Sequence, residues 1–178
     1  MATYADNQGG VKFSYKKYYT FRNKINTTFG GRFYSDMKID YVTRALYYGD
    51  TQPAVVMSVD PLLIAAYSDE MDAVVMLRFP AEFVSTYNLY PGCRLTTSNV
   101  YFTHPQFAKD IFYGEHFYHR YVDFMPIVQL FLGKKDEMIR QKAELFDEET
   151  WQMVRDKGYE YMQLHPDLCR DGFFYFKK

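Results

Sequence analysis

The residues whose types and spacing could do chemistry lie in one stretch, Gly114-Glu115-His116-Phe117-Tyr118-His119-Arg120-Tyr121-Val122-Asp123. Read as a helix, it sets His116, His119 and Asp123 at i, i+3 and i+7, and Glu115 one turn before His119. Imidazoles and a carboxylate one turn apart are donors for zinc or a similar divalent ion. An ion held there would polarise a water or a phosphoryl oxygen. The spacing differs from the His-Glu-x-x-His of zinc proteases and from the Glu-x-x-His of di-iron bundles. Three side chains of one helix rarely close a site, so a further donor such as His104 would have to join them. The commoner use of such a pattern is a helix surface with internal ion pairs. No cofactor is predicted, and a divalent metal is the one group for which the sequence offers donors.

Weaker constellations follow. Gly30-Gly31-Arg32 could present backbone N–H groups and a guanidinium to an anion, although no phosphate-loop or dinucleotide pattern surrounds it. Lysines and tyrosines interleave from Lys12 to Arg22, an arrangement that can hold phosphates and stack bases. An edge strand guarded by lysines is an equally natural reading, and nucleic acid is the less expected partner. The turn Ser68-Asp69-Glu70-Met71-Asp72 lacks the glycine and spacing of a calcium loop. Cys93 could act as a nucleophile with His104 as base, though a lone thiol beside a turn seldom does.

The elements that must position these groups read as strands first and helices after. Alternation over Val11–Phe21 predicts a strand with a basic outer face. Asn23–Gly31 reads as a loop. Ser35–Tyr48 fits helical spacing better than alternation. Short apolar runs at 54–59, 62–67 and 73–79 predict strands covered on both faces, the last two joined as a hairpin. Ala81–Tyr87 reads as a helical turn and Arg94–Phe102 as a further strand.

Phe117, Tyr121, Phe124, Val128 and Phe131 fall at steps of 4, 3, 4 and 3, which predicts a central helix kinked at Pro126. Asp136–Leu145 reads as a short polar helix. Asp147 then caps a helix that carries Trp151, Val154, Gly158, Tyr161 and His165 on one face and is closed by Pro166. The expected class is α+β, with an antiparallel or mixed sheet from the first hundred residues packed against C-terminal helices. The expected organisation is one domain over 1–178. It has a flexible lead-in at 1–10, mainly strands at 11–102, mainly helices at 105–166 and an apolar tail at 172–178.

Composition bounds the function. The 178 residues are 48% apolar, 24% charged and 20% aromatic, with 18 Tyr and 16 Phe. Such a chain can build a core without disulfides or metals, and its two cysteines suit a reducing compartment. Net charge is −1, so no global field draws the chain to nucleic acid or to an acidic membrane. Residues 1–50 nevertheless hold eight basic and four acidic side chains, and the remainder carries the opposite bias. No secretory leader and no membrane span is read, so the expectation is a cytoplasmic protein. An excess of tyrosine suits interfaces, and the tail Phe173, Phe174, Tyr175 and Phe176 is too apolar to float in water. The expectation is therefore a non-catalytic interaction or assembly protein that binds a protein partner or itself. The alternative is a small metal-assisted hydrolase or transferase. It would use Glu115, His116, His119 and Asp123, with Arg32 or Arg120 holding an anionic substrate.

Overall fold

The computed structural model describes residues 8–25, 32–103, 108–117 and 120–174. Two helices come first, α1 (Tyr15–Ile25) and α2 (Arg32–Tyr48). Then come β1 (Asp50–Val59), β2 (Leu62–Ser68) and β3 (Ala73–Phe79). The short helix α3 (Glu82–Tyr87) leads to β4 (Arg94–Phe102), β5 (Phe112–Tyr113) and β6 (Asp123–Val128). The chain closes with α4 (Gln129–Leu132), α5 (Asp136–Gln141), a 3-10 turn (Lys142–Leu145), α6 (Glu148–Leu164) and β7 (Arg170–Asp171). Sheet and helices together make an α+β fold, as expected.

The strands form one curled sheet in the order β5-β3-β2-β1-β4-β6, with β7 also on β3. All pairings are antiparallel except β3 with β7. Alternate residues of β1–β3 enter two different cores. Ala54, Val56, Ile64, Ala66, Val75 and Leu77 face a large cluster with Phe21, Phe83, Phe131 and Phe173. Val55, Met57, Ala65, Tyr67, Val74 and Met76 face Trp151, Val154 and Tyr161 of α6. Both faces are covered, which is why these runs read as continuously apolar.

α6 forms as its sequence directs. Asp147 Oδ1 accepts from the backbone N–H of Thr150 at 2.8 Å, and Phe146 meets Trp151 edge to face at 5.6 Å. Gly158 lets the helix lie flat on the sheet. A Cβ there would come within 2.8 Å of both Ala65 Cβ and Met57 Sδ. Gly158→Val is expected to lift α6 and cost about 1–3 kcal/mol in a urea titration. A neutral substitution would mean that the helix rides higher than it does here. His165 ends the face as an exposed C-cap residue rather than joining the buried stripe.

Two expectations are corrected. Val11–Phe21 is not a strand. Ser14 starts a helix, accepting from the N–H of Lys17 at its side chain (3.4 Å) and of Tyr18 at its carbonyl (3.1 Å). Ser14, Tyr18 and Phe21 then turn inward and Tyr15, Lys16 and Tyr19 outward. Phe117–Phe131 is not a central helix. Asp123–Val128 pairs with β4 as the edge strand β6, where Pro126 needs no outward ladder partner. Only Gln129–Leu132 is helical there. The first hundred residues are therefore not mainly strands, because α1 and α2 precede the sheet.

Candidate functional site: the Asp72 cleft and the tyrosine face of α1

The stretch read as a metal-binding helix forms no helix among its described residues, so the one-turn spacing does not apply to it. Glu115 and His116 are exposed on the loop after β5. Asp123 begins β6 and bonds to Arg170 at 2.8 Å. His119 and His104 lie outside the described residues. Among the described residues no group of three or more His, Cys, Asp or Glu stands ready for a metal ion.

Glu115 and His116 instead rim a cleft of about 610 Å³. Tyr67, Asp72, Tyr113, Lys157 and Glu160 also line it. Asp72 ends the β2–β3 turn at a left-handed φ of 39°. Its carboxylate accepts from Tyr67 Oη at 3.0 Å and from the His116 N–H at 3.0 Å, and it pairs with Lys157 at 3.2 Å. Burial opposes ionisation of Asp72. The His116 N–H, Lys157 and Tyr67 overcome it and hold the carboxyl below its ordinary value. Gly114 is what lets the loop come so close, since a Cβ there would fall within 2.2 Å of Lys157 Nζ and nearer still to Asp72. The cleft's carboxylate and amine are thus engaged with each other. Asp72 acts as a clamp on the loop and offers no proton near neutral pH.

The remaining expected positions scatter. Gly30 and Gly31 lie outside the described residues, and Arg32 is the first residue of α2. Cys93 is buried, and burial pushes its thiol up, away from the reactive thiolate. Arg120 is exposed and pairs with Glu70 at 3.4 Å. In the tail, Phe173 is a core residue at 3% exposure, while Phe174 lies half exposed with Lys38 over its ring at 4.4 Å. Tyr175 and Phe176 lie outside the described residues. The strand that this end adds to the sheet is β7, just before the tail.

Of the lysines and tyrosines interleaved over Lys12–Arg22, the helix α1 turns outward Tyr15 and Tyr19, which a strand would have put on its inner face. Tyr15 is 52% exposed and Tyr19 38%. Their rings stack at 6.5 Å, and Arg22 lies 5.8 Å from the Tyr19 ring. Lys12 and Lys16 are exposed beside them. Backbone pairing of Phe13 with Gly133 and of Lys134 N with Lys12 O at 2.8 Å brings exposed Lys134 and Lys135 to the same end. The neighbouring acids are Asp136, held by Lys17 at 2.7 Å, and the exposed Glu137.

Fold and surfaces together define a curled antiparallel sheet backed by helices, with no helix among the described residues long and apolar enough to cross a membrane. Comparison with protein-family models, curated proteins and solved structures finds no match.

Proposed function

We infer that this protein works by binding another protein chain through the tyrosine face of α1. The observation that carries this reading is the exposed, stacked Tyr15–Tyr19 pair with Arg22 beside it. Tyrosine and arginine are the side chains that most often anchor interfaces, since each buries a large body and keeps a polar tip. Folding has already packed Tyr18 and Phe21 from the same helix. Tyr15 meets the core ring of Phe13 at 5.0 Å and Tyr19 that of Tyr18 at 5.4 Å, so both are held in place while their outer surface stays open to a partner. The Asp72 cleft supports catalysis less well, because its carboxylate and amine neutralise each other.

Native mass spectrometry on protein purified without a histidine tag or chelator tests the reading. The expected result is an assembly above the monomer that Tyr15→Ala/Tyr19→Ala reduces. A monomer that carries a stoichiometric metal or small molecule would overturn it. That result would favour a metal-assisted hydrolase or transferase, with Glu115 and His116 at the rim of the Asp72 cleft as the first residues to replace.

A further inference from the structure

We propose that the partner is a second copy of this chain, with the basic tyrosine face of α1 seated on the acidic outer face of α6, head to tail. The inference rests on the interaction reading and names its partner.

α6 buries Trp151, Val154, Gly158 and Tyr161, so its opposite side faces water. That side carries Glu149, Gln152, Asp156, Tyr159, Glu160 and Gln163, all exposed, with Tyr159 at 49%. The preceding turn adds Glu144 and Leu145, the latter 66% exposed. The cations of the helix are occupied or flanking. Lys157 is paired with Asp72, and Arg155 lies beside the stripe, bonded to Gln152. This surface is acidic with two apolar projections, while the α1 face is basic with stacked tyrosines.

The two faces cannot neutralise each other within one chain. Tyr18 and Phe21 of α1 belong to one hydrophobic cluster and the buried stripe of α6 to the other, and those clusters cover opposite faces of β1–β3. Complementary charge on opposite sides of one molecule is satisfied by a neighbour. Such a contact is heterologous and leaves one face of each kind free at the ends, so it closes a ring or extends a chain. An 11-residue and a 17-residue helix span about 16 and about 25 Å at 1.5 Å per residue, so either helix can lie along the other. Exposed charges dominate the contact, which makes it salt-sensitive.

The test is sedimentation velocity of the full chain at ~0.01 M and ~1 M salt, where the Debye length is about 30 and about 3 Å. Association at low salt and monomer at high salt are expected. Lys12→Glu/Lys16→Glu cancels the positive charge of the α1 face, and Glu149→Lys/Asp156→Lys cancels the negative charge of the α6 face, while each variant keeps the other face unaltered. Each pair of substitutions should weaken low-salt association by about tenfold or more. Mixing the two variants should restore it. All four positions are exposed, and circular dichroism checks that the variants fold.

A natural chain that stays monomeric at low salt overturns the inference. If such a monomer binds a single-stranded oligonucleotide through Tyr15 and Tyr19, the partner is nucleic acid and the protein-binding reading falls with it. Assembly that ignores both reversals also overturns the inference, yet leaves the broader interaction reading standing. Failure of the mixture to recover, with each variant folded, removes the head-to-tail pairing.

Discussion

Arg170→Met is expected to destabilise the protein by about 2–4 kcal/mol, between the cost of breaking a surface pair and that of breaking a fully buried one, because the network is partly shielded from water. Arg170 grips Asp110 with two nitrogens at 2.5 and 2.6 Å, reaches Asp123 at 2.8 Å and bonds to the Phe124 carbonyl. Its side chain is only 19% exposed, and Asp110 and Asp123 are 21% and 31% exposed. One guanidinium thereby ties β7, the edge strand β6 and the loop before β5. Tyr161 of α6 joins through the Asp110 carbonyl at 3.0 Å. Burial alone would raise the Asp110 carboxyl, but the hydrogen bonds and charge of Arg170 hold it below its ordinary value.

A depressed carboxyl contributes stability above its unfolded value of 3.8, and that contribution is lost as pH falls through the folded value. Without Arg170 the two carboxylates face each other unpaired, so the variant's deficit should shrink on acidification. Lysine should recover only part of the loss, because a point charge cannot make the two-pronged contact. Urea unfolding at neutral and acid pH measures both effects. A deficit below ~1 kcal/mol would show that water screens the network as it does a surface pair.

None of this network was legible beforehand, because Asp110, Asp123 and Arg170 are far apart in the chain and meet only through β3, β6 and β7. The β1–β3 meander was legible for a local reason. Its apolar runs are strand-length, separated by Asp60-Pro61 and by a polar turn, and β2 and β3 pair as a hairpin should. α6 was legible because its cap, its first-turn acids and its buried stripe all agree.

The misread segments carry residues that satisfy two periods at once. In Phe117–Phe131 the 3,4 spacing picks out Phe124, Val128 and Phe131, all buried, yet these residues end up on an edge strand and a short helix. Proline decided the outcome, since Pro126 breaks a helix and is tolerated on an edge. In Lys12–Arg22 the alternation of tyrosine and lysine suits a strand, but Ser14 caps a helix. Tyrosine accepts either environment, so its pattern does not choose between them. The metal donors fail to align for the same reason, because only a helix over 115–123 would set them one turn apart.

Asp50 gives the second large effect, opposite in sign to that of Asp110. It is 2% exposed, at the start of β1. Tyr101 Oη donates to its Oδ2 at 2.8 Å and Gln52 Nε2 donates to the same oxygen at 2.7 Å. Gln52 also donates to Asp69 at 2.6 Å, and Ser68 donates to Tyr101 at 3.2 Å. Burial is the largest influence and pushes the Asp50 carboxyl up from 3.8 to about 6. The Tyr101 and Gln52 hydrogen bonds oppose it, and the charges of Asp69 and Glu70 add to it.

The folded state therefore binds a proton at Asp50 that the unfolded chain releases. Its contribution to stability is complete below the unfolded value and is lost as pH rises through about 6. At ~1.4 kcal/mol per pH unit, the loss across that window is about 3 kcal/mol. Asp50→Asn keeps the shape and, turned so that its carbonyl takes the place of Oδ2, still accepts from Tyr101 and Gln52. It should match the natural chain at pH ~4 and exceed it by up to about 3 kcal/mol at pH ~7 in urea unfolding. Equal stability at both pH values would mean that Asp50 stays ionised when buried. The Tyr101 and Gln52 hydrogen bonds, rather than burial, would then govern its charge.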